Sequence, residues 1–483
     1  MDWTPLRRVL EGPLVLPGER TYDVLRRPFN YRIDPFPAAV ARCLNEDDVV
    51  ACVRFAVKND IAITMRSGGH GAEGYSSVDG ALVIDQSGMQ RIRVDLENDL
   101  VHVTGGCEWG QVDIATYPRG RVAGGGGCAA VGAGGLTQGG GFGPVSRTWG
   151  LTADQVVSAR VVTSRDQKAI VVDADNDAEL FWALRGGGGG NWGVVTEFTY
   201  RLHPIGTQLL GGMAVYPWEQ AQELFVLYRD WMLKGGDPRL TPLPMVAFGG
   251  DNKPMAAVSA FYNGDPDTGM SELTSLLDTK KVGDPVQGPL DTVFSPGTLP
   301  AYTGTESTTA WPGSGQYWRN GFLENAFPDA AINTMLTWFN DCPRPPTDES
   351  KRHGFTHQPQ NDLSFGFIES LGGAIAEVPR DDTAFYWRDR LFSFSFIGVF
   401  DPENSGWSQD TKTWADGFLN AMGPYLSGAA YVNYMQAELP DWKKAYYGGH
   451  VSELERIKRE YDPAYVFRFP QDVLKPDGAG STA

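Results

Sequence analysis

Residues 123–143 read AGGGGCAAVGAGGLTQGGGFG. Eleven of these twenty-one residues are glycine, and one thiol, Cys128, sits among them, so the stretch is nearly bare backbone around a single reactive group. Glycines at strand ends permit positive φ and let backbone N–H groups come close to a ligand, most often a phosphate. One such cluster reads more simply as a tight turn. Three of them, at 66–71, 124–143 and 186–193, argue for a bound anionic group. Neither standard nucleotide motif is present: there is no G-x-x-x-x-G-K-[ST], and Gly139-Gly140-Gly141-Phe142-Gly143 lacks the G-x-G-x-x-G spacing.

Outward from this stretch the chain reads as mixed α and β. A helix is expected after a cap at Asn45, with Val49, Val50, Val53, Ala56 and Val57 on one face. Strands are expected at 61–65, 81–84, 101–104, 156–163, 169–172 and 193–202, and short helices at 108–117 and 177–184. Pro204 marks a boundary. Beyond it, strands at 245–249, 256–262, 364–371 and 392–400 alternate with helices at 218–231, 330–339 and 410–422, the pattern of a sheet covered by helices. Two further helices are expected at 438–447 and 451–461.

The formal net charge of −18 over 483 residues argues against binding nucleic acid or an anionic membrane surface. Five cysteines without C-x-x-C spacing fit free thiols in a reducing cytosol. Arg7-Arg8 raises the possibility of a twin-arginine signal, but Glu11, Pro13 and Pro17 interrupt the apolar stretch that follows, so the segment is read as mature protein and the location as cytoplasmic. The six histidines show no metal spacing; His353 and His357 lie in HGFTH, which reads as a loop, and no metal is expected.

Arg66-Ser67-Gly68-Gly69-His70 resembles the histidine loop of the FAD-linked oxidases related to berberine bridge enzyme, within the vanillyl-alcohol-oxidase superfamily with its PCMH-type FAD-binding fold. The likeness continues in GALVIDQSGM (80–89), GCAAVG (127–132), GLTQGGGFGPVSRTWGLTADQVV (135–157) and LRGGGGGNWGVVTEF (184–198), and returns in YVNY (431–434) and LERIKREYDPAYVFRFPQ (454–471). It implies an α+β protein of two parts: an FAD-binding domain made of 1–204 with a returning segment 431–483, and an α+β substrate-binding domain, 205–430, whose antiparallel sheet is covered by helices.

The resemblance further implies FAD bonded twice, through His70 to its 8α carbon and through Cys128 to C6 of its ring. The first bond withdraws electron density and favours hydride uptake; the second fixes the ring plane and leaves the substrate side open to bulky molecules. In the first loop the cofactor contacts implied are Arg66, Ser67, Gly68, Gly69 and Gly71. In the second they are Gly127, Val131, Gly132, Gly135 and Leu136, and further on Gly140, Gly141, Gly190, Val194 and Asn433. Valine at 131 matches the members that react with oxygen.

Alcohol oxidation needs a base at the hydroxyl and a hydride acceptor at flavin N5. By position in Y-x-N-Y, Tyr434 is the base; the plainer reading sets Tyr431 and Tyr434 on one face of a packed strand. Relatives place a tyrosine or acid where this chain has Leu371, so Glu369, two residues earlier, is the substitute partner. Three more departures are Leu136, where many members have histidine, Tyr386-Trp387 for Pro-His, and an altered AYYGGH near His450. The expected function is an oxidase that takes a hydride from a secondary alcohol or hemiacetal on a bulky secondary metabolite and reduces O2 to H2O2. The alternatives are a carbohydrate oxidase, for which fourteen tryptophans could stack sugars, an oxidative cyclase or amine oxidase of the same fold, and a flavin-binding protein without turnover.

Overall fold

A computed structural model describes residues 1–249, 252–307, 313–344 and 364–475; His353 and His357 lie outside these. Among the described residues the N-terminal half holds two larger sheets and a two-stranded pairing of Arg121–Val122 with His203–Pro204. In the first, the strand Ala39–Arg42 pairs antiparallel with Leu14–Val15 and parallel with Leu82–Asp85, which pairs parallel with Ile63–Arg66. The helix Glu46–Asn59 covers it. Asn45 caps that helix by accepting from the Asp48 amide at 2.9 Å, and Val49, Cys52, Val53 and Ala56 bury the expected apolar face. The second sheet is antiparallel, in the order Ile92–Asp95, Leu100–Thr104, Val194–Arg201, Val156–Val162, Ala169–Val172.

A seven-stranded antiparallel sheet follows, in the order Phe294–Gly297, Leu209–Pro217, Pro254–Tyr262, Leu240–Phe248, Phe365–Ser370, Phe392–Phe400, Gly315–Phe322. One face packs on the helices Ala221–Leu233, Asp329–Asn340 and Ser405–Met422: Val246, Ile368, Phe394 and Phe396 form one core with Phe225, Met335 and Phe418. Each such aromatic contributes on the order of 2–3 kcal/mol by leaving water. Along Leu240–Phe248 and Phe365–Ser370 buried residues strictly alternate with half-buried ones. The second set, which includes Leu243, Met245, Phe365, Phe367 and Glu369, therefore lies on the face away from the helices.

The last segment returns to the N-terminal half. Trp442, Tyr446, Tyr447, Leu454 and Ile457 share a core with Trp109, Val112, Phe198 and Tyr200. Phe467 bridges parallel to Ile63 at the edge of the four-stranded sheet. Among the described residues no helix is long and apolar enough to cross a membrane.

Strands at Ala39–Arg42, Ile92–Asp95 and Gly315–Phe322 and the helix Pro266–Leu276 form where the sequence reading expects no element, the strand Leu240–Phe248 and the helix Ser405–Met422 start earlier than expected, and three further departures have a clear physical cause. The strand Leu209–Pro217 carries Gly211-Gly212, which a period-2 pattern does not reveal. Only Trp442–Tyr447 of the helix expected at 438–447 forms. YVNY is no strand: Val432–Tyr434 is a 3-10 turn closed by the Tyr434 amide on Tyr431 O at 2.9 Å. Residues three apart point to opposite faces of a strand but eclipse on a 3-10 helix, so it is the turn that sets both tyrosines on one side.

Candidate active site

The parallel register sets Arg66 opposite Asp85, and their side chains meet at 2.7 Å in a buried ion pair. The chain thus leaves its strand from a fixed point. Ser67 Oγ donates to Gly105 O at 2.6 Å and accepts from the Gly134 amide at 3.3 Å. Gly68 and Gly132 face each other, and a Cβ on either would run into the other's amide nitrogen. The two expected cofactor loops are therefore clamped backbone to backbone. Gly69 turns at φ 72° and delivers His70. The His70 ring stacks on Phe29, with centroids 4.6 Å apart and planes 16° from parallel. Burial pulls its pKa down to about 4, so the imidazole is neutral at pH 7 and keeps a lone pair for bonding.

The Cys128 loop is pinned by the start of the helix Trp109–Thr116. The Trp109 amide donates to Val131 O and the Gly110 amide to Ala129 O, both at 2.9 Å. Within the loop, Gly127 to Val131 is a half-buried window between buried flanks, and Cys128 is half-buried while the other four cysteines are buried. Many of the surrounding glycines serve the protein itself. Gly125 lies flat on the Trp109 indole, Gly139 on Asn433, Gly140 (φ 118°) on Phe385 and Gly141 (φ 87°) on Thr152. Gly190 meets the Phe469 ring, Leu136 packs near Gly126 and Gly141, and the Val194 side chain is buried in the core of the four-stranded sheet. Gly71 and Gly135 differ: no atom lies within 4 Å of where their Cβ would stand.

These features fit the expected FAD. Two clamped loops present a neutral imidazole and a half-buried thiol, and exposed glycines leave room beside them. Downstream of His70, Tyr75 Oη, Ser76 Oγ and Ser77 Oγ are buried with no hydrogen-bond partner among the described residues. Buried polar groups of this kind are ordinarily satisfied, and the hydroxyls and phosphates of FAD would suit them.

Asn433 and Tyr431 join the second loop to the C-terminal return. Asn433 Nδ2 donates to Leu136 O at 2.9 Å and to Tyr431 Oη at 2.8 Å, and the Gly141 amide donates to the same phenol at 2.9 Å. Tyr431 is thus a buried clamp, stacked on Phe142 at 4.1 Å. Tyr434 points at the sheet. Its phenol donates to Glu369 Oε1 at 2.7 Å, and Ser393, directly across the strand pair, donates to Oε2 at 2.9 Å. Burial raises the Glu369 carboxyl to about 7 against the two hydrogen bonds that lower it. Burial and the neighbouring carboxylate push the Tyr434 phenol far above its ordinary range, and Cys128 is among the groups close enough to act on it. Trp318 at 5.1 Å and Phe367 at 6.4 Å flank the Tyr434 ring.

The structure thus brings Tyr434 and Glu369 together and seats Leu371 in an apolar cluster with Phe142 and Tyr431, against which the Tyr434 ring also packs. Ser393 and Phe29 escaped the sequence reading, since neither sits in a motif. The departures at Tyr386-Trp387 and AYYGGH turn out to be one packing unit: Tyr386 lies over Gly448 and meets the His450 ring edge-on at 4.9 Å.

The FAD binding domain family matches residues 37–172, and the berberine and berberine-like family matches residues 430–473. The FAD-linked oxidoreductase YgaK of Bacillus subtilis (strain 168), described as uncharacterized, is 30% identical over 471 residues, 96% of this chain and 97% of that protein. The glucooligosaccharide oxidase of Sarocladium strictum is 27% identical over 469 residues, 92% and 89% of the two chains. Among solved structures, BBE-like 1 of Physcomitrella patens superposes with a TM-score of 0.84 over 99% of this chain and 100% of its own, at 22% identity. Berberine bridge enzyme of Eschscholzia californica gives 0.83 over 99% of both chains, at 19% identity. At those identities the structural likeness speaks for the fold.

Proposed function

Since the chain belongs to the berberine-bridge-enzyme-like FAD-linked oxidoreductases, we propose that it oxidises a secondary alcohol or hemiacetal carried on a bulky, largely apolar natural product, with dioxygen as final acceptor. The observation that carries this reading is the Tyr434–Glu369 hydrogen bond on the helix-free face of the seven-stranded sheet. In this reading 1–204 and 431–483 hold the cofactor and 205–430 present the substrate. What FAD supplies when bound is a two-electron acceptor that takes a hydride from carbon and passes the electrons to O2, released as H2O2.

The chain's own residues supply the proton path. Tyr434 is protonated at any working pH, so it cannot wait as a free base. Glu369 accepts from both Tyr434 and Ser393, the arrangement of an ionised carboxylate. The substrate hydroxyl gives its proton to Tyr434 Oη as Tyr434 gives its own to Glu369. Around this pair the half-buried face offers Leu243, Met245, Phe365 and Phe367. A sugar would leave hydroxyls unpaired against such side chains, whereas an apolar scaffold would not. His70 and Cys128 are assigned as the two attachment points of the cofactor, and Val131 to oxygen access beside it.

A carbohydrate oxidase is the second reading. Trp318 beside Tyr434 favours it, since indole faces stack sugars, and so does the oligosaccharide oxidase among the relatives. Oxidation of a tertiary amine to its iminium releases a hydride and no proton and leaves the Tyr434–Glu369 pair without a task, whereas cyclisation releases one proton and gives the pair the same work as an alcohol does. The test has two steps. The purified protein is denatured in acid: yellow colour that stays with the polypeptide, and leaves only in the His70→Ala, Cys128→Ala double variant, supports both attachments. Peroxide release is then compared across apolar secondary alcohols and oligosaccharides, and faster turnover of the oligosaccharides would reverse the substrate order.

A further inference from the structure

The segment from Phe29 to Arg32 is a strap between the His70 loop and the substrate sheet. Asn30 is fully buried and acts like a strand partner: its Oδ1 accepts from the Gln316 amide at 2.9 Å and its Nδ2 donates to Gln316 O at 2.9 Å. The same Nδ2 donates to Ala72 O at 2.8 Å, two residues beyond His70. The Tyr31 amide donates to Ser314 O at 3.0 Å, and the Phe29 amide to Gly69 O at 3.1 Å, one residue before His70. The strap thus grips the histidine loop on both sides of the imidazole and anchors it to the strand Gly315–Phe322.

Phe29 supplies the remaining contact. No hydrogen bond to a His70 ring nitrogen occurs among the described residues, and the one ring stacked on the imidazole is Phe29. An unbonded imidazole turns about its Cβ–Cγ bond unless something holds its plane. A ring at 4.6 Å and 16° does that and leaves both nitrogens unencumbered. We propose that Phe29 is a positioning residue for cofactor attachment: seated by Asn30, it fixes the plane of His70 so that a ring nitrogen meets the 8α carbon of FAD.

The proposal rests on the attachment at His70 put forward above. In that step one C–H of the 8α-methyl group and the imidazole N–H are exchanged for one C–N bond. The two hydrogens, with their electrons, pass to dioxygen as hydrogen peroxide, and the flavin ends at its starting oxidation level.

The test uses the full chain in a Cys128→Ala background, so that His70 alone can hold the cofactor. Protein from riboflavin-limited cells is mixed with FAD in air, and intact mass follows the fraction that gains one FAD. Phe29→Leu keeps the apolar bulk and removes the stack; Phe29→Tyr keeps the stack. The Leu variant is expected to attach FAD between about two-fold and ten-fold more slowly, the worth of one aromatic pair. The Tyr variant should match the parent, and the melting temperatures of both should stay close to it. Attachment by Phe29→Leu at the parental rate overturns the proposal. Equal slowing in the Tyr variant also overturns it, since that assigns the effect to local disturbance. A covalent adduct that survives His70→Ala in this background would instead overturn the attachment itself.

Discussion

Burial raises Glu369 to about 7 and lifts Tyr434 well above the usual phenol range, and the two groups lie 2.7 Å apart. In the proposed proton path this makes the carboxylate the terminal acceptor and the phenol the relay. A carboxyl raised to about 7 is protonated below that pH and cannot accept, so turnover should fall as pH drops through about 7 and level off above it. Glu369→Gln keeps the shape and removes the acceptor, so kcat should fall by about 10²–10⁴ with KM little changed, and the acidic limb should vanish from what activity remains. The measurement is peroxide release against pH for both proteins. A rate that is flat across neutral pH in the parent would remove Glu369 from the proton path. Glu369 was legible in the sequence because strand alternation puts it on the same face as Leu371. Ser393 was not, since its bond to Glu369 depends on the register between strands twenty-four residues apart, which no local pattern encodes.

Glycines of identical appearance in the string GGGGCAAVGAGG part company once the elements around them form. Gly132 touches Gly68 and Ser67, so a Cβ there forces the two loops apart. Gly135 lies inside the short helix Ala133–Gln138, exposed and without a neighbour within 4 Å. Gly132→Ala should therefore lower the melting temperature and lose FAD. Gly135→Ala should stabilise the cofactor-free chain by about 0.5–1 kcal/mol, as glycine-to-alanine changes in helices do, yet weaken FAD retention, because in the proposed site the added methyl stands where the cofactor would lie. Calorimetry of the cofactor-free chain, paired with FAD titration, separates the two effects. Unchanged FAD binding in Gly135→Ala would place the cofactor elsewhere. The same contrast shows what elements the sequence displayed. The helix Glu46–Asn59 and the strand Phe392–Phe400 carry strong caps or an unbroken β-rich run, and they form where expected. Leu209–Pro217 is held by its partners Phe294–Gly297 and Pro254–Tyr262 despite two glycines, and the Tyr431–Tyr434 turn by long-range bonds to Gly141 and Asn320. Both depend on contacts remote in sequence.

At the scale of the molecule, the C-terminal return brings Asn433 to Leu136 in the second glycine loop and Tyr434 to Glu369 on the sheet, so whatever holds that segment down bears on the proposed site. One buried cation holds it down. Lys458 is fully buried; its ammonium donates to Asp462 Oδ2 at 2.8 Å, to Phe467 O at 2.6 Å and to Asn191 O at the end of the five-glycine run. Asp462 in turn accepts from the Val466 and Phe467 amides at 3.0 and 3.1 Å, which shapes the bridge from Phe467 to Ile63. Removing one partner of such a pair leaves the other as an uncompensated buried charge, a cost of about 3–5 kcal/mol. Lys458→Met should destabilise the holoenzyme by that amount in a denaturant melt. Adding Asp462→Asn should recover part of it, because the stranded charge is gone while the one remaining side-chain oxygen still accepts from the Val466 amide. Arg456, two residues away, makes three ion pairs but is 44% exposed; Arg456→Ala should cost less than about 1 kcal/mol, as screened surface pairs do. If the lock also seats the site, Lys458→Met should release non-covalent FAD in a Cys128→Ala, His70→Ala background where Arg456→Ala does not. Equal losses in the two variants would reduce Lys458 to one more surface-like pair and leave the apolar contacts of Trp442, Tyr447 and Leu454 to hold the return alone.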